Sequence, residues 1–285
     1  MILVFGGTGQ VGGELKRLLG DEAFFPERSD YDLLEPTTMT VLIQTLRPQM
    51  VINAAADTRV DLAESEPRNA FRANAATIEF LAHATYRAGG RLLHFSTDYV
   101  FDGAARSPYR EEDVTGPIGV YGEAKLRGEQ AVLEYSPHVV LRLSWVYGTV
   151  GRNFALTMLR LAREGKTIRV VDDQIGSPTY ARCIAEGAAE VARQMVADPK
   201  GPGGLYHLSA GGSTSWFGFA SALLPLVLGE AAPEVHPIPT SQFPTPARRP
   251  AYSVLDNRAI GERFGVRLPD WQAQMERWAA DLPPQ

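Results

Sequence analysis

Short apolar runs alternate with helical patterns through the first half of the chain. Candidate strands cover residues 2–6, 23–26, 50–55, 92–96 and 139–143. Helical periodicity covers residues 10–19, 36–46, 67–88 and 122–134 between them. The strand runs are apolar throughout, with no alternation of apolar and polar positions. That pattern marks strands covered on both faces of a parallel sheet. Strands spaced by helices in this way predict an α/β protein with a doubly wound, Rossmann-like parallel sheet. After Gly148 the pattern loosens. Helical spacing returns at 153–164 and 181–197, and a Gly/Pro-rich stretch at 198–204 reads as a surface loop. Proline is dense from Pro233 to Pro250, in the kind of ordered loop that often lines a binding site. We expect a dinucleotide-binding domain over 1–148. A smaller mixed C-terminal domain over 149–285 is expected to bind mainly substrate, with some segments returning to the sheet.

Gly6-Gly7-Thr8-Gly9-Gln10-Val11-Gly12 follows the first strand and opens the first helix. In that context Gly6 permits a tight turn and Gly9 lets backbone approach a pyrophosphate. Gly12 lets helix and strand pack closely. The free N–H groups and positive dipole end of the helix then face the phosphates. A glycine turn with no ligand is the plain alternative. No acid stands at the tip of the second strand, where a ribose-binding carboxylate is usual. Glu27 is near, and Arg28 beside it suits a 2′-phosphate, which favours NADPH and leaves NADH open. Asp32 and Leu33 border the expected adenine site.

Composition narrows the partners. Net charge is −5, with no basic block, which argues against nucleic acid or an anionic membrane as the main partner. Cys183 is alone, so an internal disulfide is impossible and a reducing cytosol is the expected location. No signal peptide or membrane-spanning run stands out.

The candidates for proton chemistry are Tyr121 and Lys125, the only Tyr-x-x-x-Lys in the chain. Residues i and i+4 share a helix face. A fixed positive charge beside a phenol is expected to lower its pKa and ready it for proton exchange. Thr97 ends the fourth strand, where ligands of open parallel sheets bind, and its hydroxyl suits a carbonyl oxygen. Ser96-Thr97-Asp98 as turn and cap chemistry is the bland alternative.

Taken together, the glycine loop, Asn53-Ala54-Ala55-Ala56, Ser96-Thr97-Asp98-Tyr99-Val100-Phe101 and the Tyr121/Lys125 pair resemble the extended short-chain dehydrogenases/reductases. Further runs narrow the resemblance: Val60 to Pro67, Ser144-Trp145-Val146-Tyr147-Gly148, Asp173 to Thr179 and Pro244 to Pro250. Nearly end to end, the chain is similar to the dTDP-4-dehydrorhamnose reductase family. The resemblance implies Thr97, Tyr121 and Lys125 as the catalytic set. It implies a nicotinamide cofactor along Gly9, Gln10, Val11, Asp32, Leu33, Ala54, Ala55, Ala56, Tyr121 and Lys125, and a dTDP-sugar facing Thr97, Asp98 and Trp145. Trp145 as core is the alternative. In Arg248-Arg249 a guanidinium fork suits a diphosphate, so Arg248 is a candidate substrate residue, with a solvated pair as its alternative. Glu14 matches a carboxylate that the resemblance associates with Mg²⁺ at a dimer interface. The second acidic ligand is missing where Tyr180-Ala181-Arg182 stands, which leaves metal dependence, and monomer against homodimer, open. A sugar-nucleotide dehydratase would carry Glu where Tyr99 stands. A related epimerase, or a non-catalytic dinucleotide-binding subunit, is the remaining alternative.

Overall fold

The computed structural model describes residues 1–283. The chain opens with β1 (Ile2–Phe5), α1 (Gln10–Leu19), β2 (Ala23–Phe24), α2 (Pro36–Leu46) and β3 (Met50–Asn53). Two short helices follow, α3 (Val60–Ser65) and α4 (Pro67–Phe71). A π turn (Arg72–Ala76) then leads into α5 (Thr77–Arg87), β4 (Arg91–Thr97), α6 (Val120–Leu133) and β5 (Val139–Leu143). The later part carries β6 (Val146–Tyr147), α7 (Phe154–Arg163), β7 (Ile168–Val171), β8 (Ile175–Gly176), β9 (Thr179–Tyr180) and α8 (Ala181–Ala197). It ends with β10 (Gly204–His207), β11 (Thr214–Ser215), α9 (Trp216–Leu228), β12 (Val235–Ile238), α10 (Arg258–Phe264) and α11 (Trp271–Ala280).

Six strands form one parallel sheet in the order β10-β5-β4-β3-β1-β2. Successive side chains of a strand leave on opposite faces. Ile2 and Val4 therefore enter one core layer with Leu15, Ile184 and Ala188, while Leu3 and Phe5 enter the other with Met39, Ile43 and Leu81. Helices α1 and α8 cover the first face; α2, α5 and α6 cover the second. A third core joins Tyr147, Met158, Phe219, Trp271 and Trp278 beneath the later helices. The chain order reverses direction between β1 and β3, which opens a crevice at their carboxyl ends.

Two elements differ from the sequence reading. The helix expected over 67–88 is broken by the π turn. There the Asn74 side chain leaves the helical pattern to bridge Asp57, accepting from its N–H at 3.1 Å and donating to its carbonyl at 2.8 Å. Gly128 of α6 packs so tightly on the Asn74 carbonyl that a Cβ would lie 2.2 Å from it. The expected loop over 198–204 ends at Gly204, which begins edge strand β10. Arg91 fastens that loop by donating to the carbonyls of Pro137, Met195, Asp198 and Pro202.

One buried ion pair locks α6 to the sheet. Arg142 of β5 donates to both carboxylate oxygens of Glu129, at 2.9 and 2.8 Å, with both side chains almost wholly out of water. Removing one partner strands the other charge. Glu129→Ala should therefore lower the unfolding free energy by about 3–5 kcal/mol in denaturant melts. A loss under ~1 kcal/mol would show that the pair is not the lock described.

Candidate active site

The glycine loop supplies the first wall. Gly6 has φ +89, and a Cβ there would fall 2.5 Å from the Ala54 carbonyl carbon. At Gly12 a Cβ would lie 2.0 Å from the Gly6 carbonyl oxygen. Helix α1 thus rests directly on the turn, and no side chain caps its first N–H groups. Those groups are an anion seat. A cavity of about 520 Å³ opens beside them, lined by Gly6, Thr8, Gly9, Arg28 to Leu33, Thr38 and Ala54 to Ala56. Arg28 and Asp32 are exposed along its wall, and Leu33 is half-buried. Gly12 is buried in the helix–turn contact. Val11 packs on the core, and Gln10 accepts from Asn153 at 2.9 Å. The shape and donors fit a dinucleotide. Tyr31 was not singled out from the sequence; its hydroxyl accepts from the Gly6 N–H at 2.7 Å and so braces the loop.

The second wall is the carboxyl end of β4. Thr97 caps the turn after it, accepting from the Tyr99 N–H at 3.2 Å and donating to Asp98 at 3.1 Å. Ser144 donates to the other Asp98 oxygen at 2.9 Å. Helix α6 begins at Val120, whose N–H is held by Glu64 at 2.9 Å, and this brings Tyr121 in beside Thr97. The rings of Tyr99 and Tyr121 meet edge to face at 5.9 Å.

Lys125 corrects one expectation. It shares a helix face with Tyr121, but its side chain folds down onto β4. There its nitrogen donates to the Phe95 carbonyl at 2.6 Å and lies 3.2 Å from His94 Nε2. The phenol of Tyr121 is not lowered. Burial pushes it well above the ordinary tyrosine value, Asp98, Tyr99 and Asp57 add to the rise, and Thr97 offsets only part of it. Desolvation sets the direction, because the Lys125 nitrogen is turned away to the strand carbonyl.

A second cavity, about 450 Å³, has Tyr99 in its wall together with Phe154, Met158, Arg169, Gln174, Trp216, Phe243, Thr245 and Arg249. Trp145 stacks on Trp216 with ring centroids 3.5 Å apart and planes parallel within 1°. It is half-buried, neither core nor surface. Its backbone holds φ +45, a strained conformation for a bulky residue. Gly176 makes room for the indole, since a Cβ there would fall 2.3 Å from it. Arg248 points outward and is exposed. Arg249 is the member of that pair in the cavity wall, bonded to Thr245 at 2.6 Å and paired with Asp61 at 3.0 Å.

A family model described as the RmlD substrate binding domain matches residues 1–283. A dTDP-4-dehydrorhamnose reductase of Burkholderia thailandensis is 45% identical over 99% of this chain and 98% of its own. That of Escherichia coli K12 is 42% identical over 99% and 97%. The chain belongs to the dTDP-4-dehydrorhamnose reductase family. A solved reductase of that name from Bacillus anthracis, in complex with NADP, superposes with a TM-score of 0.90 at 33% identity, covering 98% of both chains. A Brucella ovis UDP-glucose 4-epimerase has the same fold, with a TM-score of 0.80 at 19% identity.

For a member of the dTDP-4-dehydrorhamnose reductase family, the acidic positions of this chain are heavily engaged. Glu14 pairs with Arg17 at 3.0 Å. Glu186 and Asp281 are taken up by Arg277 and Arg182. Among the described residues no three His, Cys, Asp or Glu side chains are grouped to hold a metal ion.

Asp98 is 2% exposed, and burial pushes its carboxyl up to about 6 despite hydrogen bonds from Ser253, Ser144 and Thr97. A folded-state value above the unfolded one means that ionisation opposes folding. Wild-type stability should fall relative to Asp98→Asn between pH ~4 and ~7, by about 3 kcal/mol in all, and level off above. Urea melts across that range check this; a difference independent of pH would contradict it.

Proposed function

We propose that this chain reduces the C4 ketone of dTDP-4-dehydro-L-rhamnose to dTDP-L-rhamnose with NADPH or NADH. The observation that carries the reading is the convergence of Thr97, Tyr121 and Lys125 at the β4 end, in a chain of this family. A nicotinamide, when bound, supplies a hydride to the ketone carbon. The chain's own residues supply position and a proton. The glycine loop and the α1 N-terminus hold the diphosphate, while Arg28, Asp32 and Leu33 border the adenosine. Thr97 turns its hydroxyl from Asp98 to the substrate oxygen. Tyr121 then gives its proton to the alkoxide that forms there.

The raised Tyr121 value suits this direction of reaction. A group that must donate to an alkoxide has to hold its proton at neutral pH, and a buried phenol does. Such proton donation is worth roughly 10²–10⁴-fold in rate. Arg249 and Arg169 offer guanidinium groups to the sugar-nucleotide diphosphate, and Trp145 and Trp216 offer flat apolar faces. Tyr99, where a dehydratase would place its base, is pushed up to about 12 by burial and by the Asp98 charge. It takes up no proton at neutral pH, which disfavours elimination. Among the described residues no helix is long and apolar enough to cross a membrane. The lone buried Cys183 suits a reducing cytosol.

A steady-state assay with dTDP-4-dehydro-L-rhamnose and each reduced dinucleotide tests the reading. We expect stoichiometric cofactor oxidation and dTDP-L-rhamnose as product, with a lower KM for NADPH through Arg28. Arg28→Ala should remove that preference while leaving NADH turnover within about threefold. Tight dinucleotide binding with no turnover would instead favour a non-catalytic role.

A further inference from the structure

Lys125 sits at the end of a buried hydrogen-bond chain that the reaction scheme does not use. Asn53 ends β3 in the middle of the sheet, and its Oδ1 accepts from the Ala55 N–H at 3.2 Å. That bond orients the amide, so Nδ2 faces His94 Nδ1 at 3.1 Å. An amide nitrogen only donates, so His94 Nδ1 accepts. A neutral imidazole then carries its proton on Nε2, which faces Lys125 Nζ at 3.2 Å. Two donors cannot share that contact. With this orientation Lys125 is an amine: it accepts from His94 Nε2–H and donates to the Phe95 carbonyl.

An ammonium at Lys125 requires the chain to reverse. Nζ then donates to Nε2, the ring proton sits on Nδ1, and the Asn53 amide turns over to accept it. The turned amide presents Nδ2 to Ala55, whose N–H loses its acceptor. The two states differ by one proton, taken from solvent. Ala55 lines the cavity beside the glycine loop. A peptide N–H stripped of its acceptor at that wall would be satisfied by an oxygen bound there.

We propose that Asn53 and His94 are positioning residues that couple the protonation of Lys125 to the Ala55 backbone donor in the dinucleotide cavity. The importance of this coupling for catalysis rests on the function proposed above; the proton chain itself does not. Burial draws Lys125 down to about 8 and holds His94 well below the usual histidine value, so the lysine changes charge beside a neutral ring. The titratable groups acting on Lys125 are His94 from β4, 3.2 Å away, and Glu129 from α6, whose charge favours the ammonium and offsets part of the burial effect. Glu129 is itself paired with Arg142 of β5, and the π turn packed on α6 brings the neutral Asn74 to Gly128. Coupling of this kind is reciprocal: an oxygen bound at Ala55 favours the ammonium, and the ammonium favours that oxygen.

The test uses the ligand-free wild-type protein. With four lysines and five histidines, side-chain NMR can resolve each. Lysine ¹³Cε shifts report the Lys125 midpoint, and ring ¹⁵N shifts report the His94 tautomer. We expect the His94 proton on Nδ1 below the Lys125 midpoint and on Nε2 above it, with one shared midpoint. A single tautomer across that midpoint overturns the proposal. Asn53→Asp can only accept, which fixes Nε2 as an acceptor and should raise the Lys125 midpoint by at least ~1 pH unit, a tenfold shift. Combining it with His94→Phe should abolish most of that rise. An equal rise in the double variant would mean the new carboxylate acts through space, which also overturns the proposal. Neither readout involves turnover, so failure of the sugar-nucleotide reaction leaves them intact.

Discussion

The withdrawal of polar groups from water at the carboxyl end of β4 is the constraint on which the site depends. Asp98, Lys125, His94 and Thr97 are all buried there, and each must find a protein partner. Asp98 is fed by Ser144 and Thr97, and Lys125 by the Phe95 carbonyl and His94. The same burial keeps Tyr121 protonated, the state a donor to an alkoxide needs. A water-filled cleft would level these differences. In this protein the electrostatics follow from desolvation first and from the neighbouring charges second.

That burial is made possible by close backbone packing on either side. Helix α6 is pinned to β5 by the Arg142–Glu129 pair, which sets Tyr121 over the end of β4. Helix α1 is seated on the turn at Gly6, which sets the anion seat opposite β3. Two cavities flank the sheet's carboxyl end: a polar one lined by the glycine loop at the switch point, and an aromatic one lined by Tyr99, Phe154 and Trp216. Ketone reduction needs this arrangement, because cofactor and substrate must meet at one carbon while water is kept out.

The sheet was legible because its strands are apolar on both faces and its helices are regularly spaced. The bounds of α1, α2 and α8 agree with their periodicity. The π turn was not legible, since Asn74 looks like any helical polar residue until Asp57 is brought to it by the fold. Strand β10 was hidden by its glycine and proline neighbours, and its partner β5 lies 65 residues earlier in sequence, with Val140 opposite Leu205. Within the candidate site, Thr97, Tyr121 and the glycines stood out by residue type and spacing. The direction taken by the Lys125 side chain did not, because spacing fixes a helix face and says nothing of what lies beneath it. Tyr31 and His94 carried no local signal, and the Arg248-Arg249 pair pointed to Arg248 where the fold puts Arg249 in the cavity wall. Tyr31, His94 and Arg249 each matter through a partner distant in the chain: Gly6, Lys125 and Asp61 respectively.

The role proposed for Tyr121 is to complete, as a buried and protonated phenol, the reduction of a ketone brought to the end of β4. The most direct measurement compares wild type with Tyr121→Phe for NADPH binding by calorimetry and for single-turnover oxidation of bound NADPH by dTDP-4-dehydro-L-rhamnose. Dissociation constants within about threefold of each other are expected, with the turnover rate lowered by roughly 10²–10⁴-fold in the variant. A variant that binds NADPH normally and oxidises it at close to the wild-type rate would mean that Tyr121 is not the proton donor.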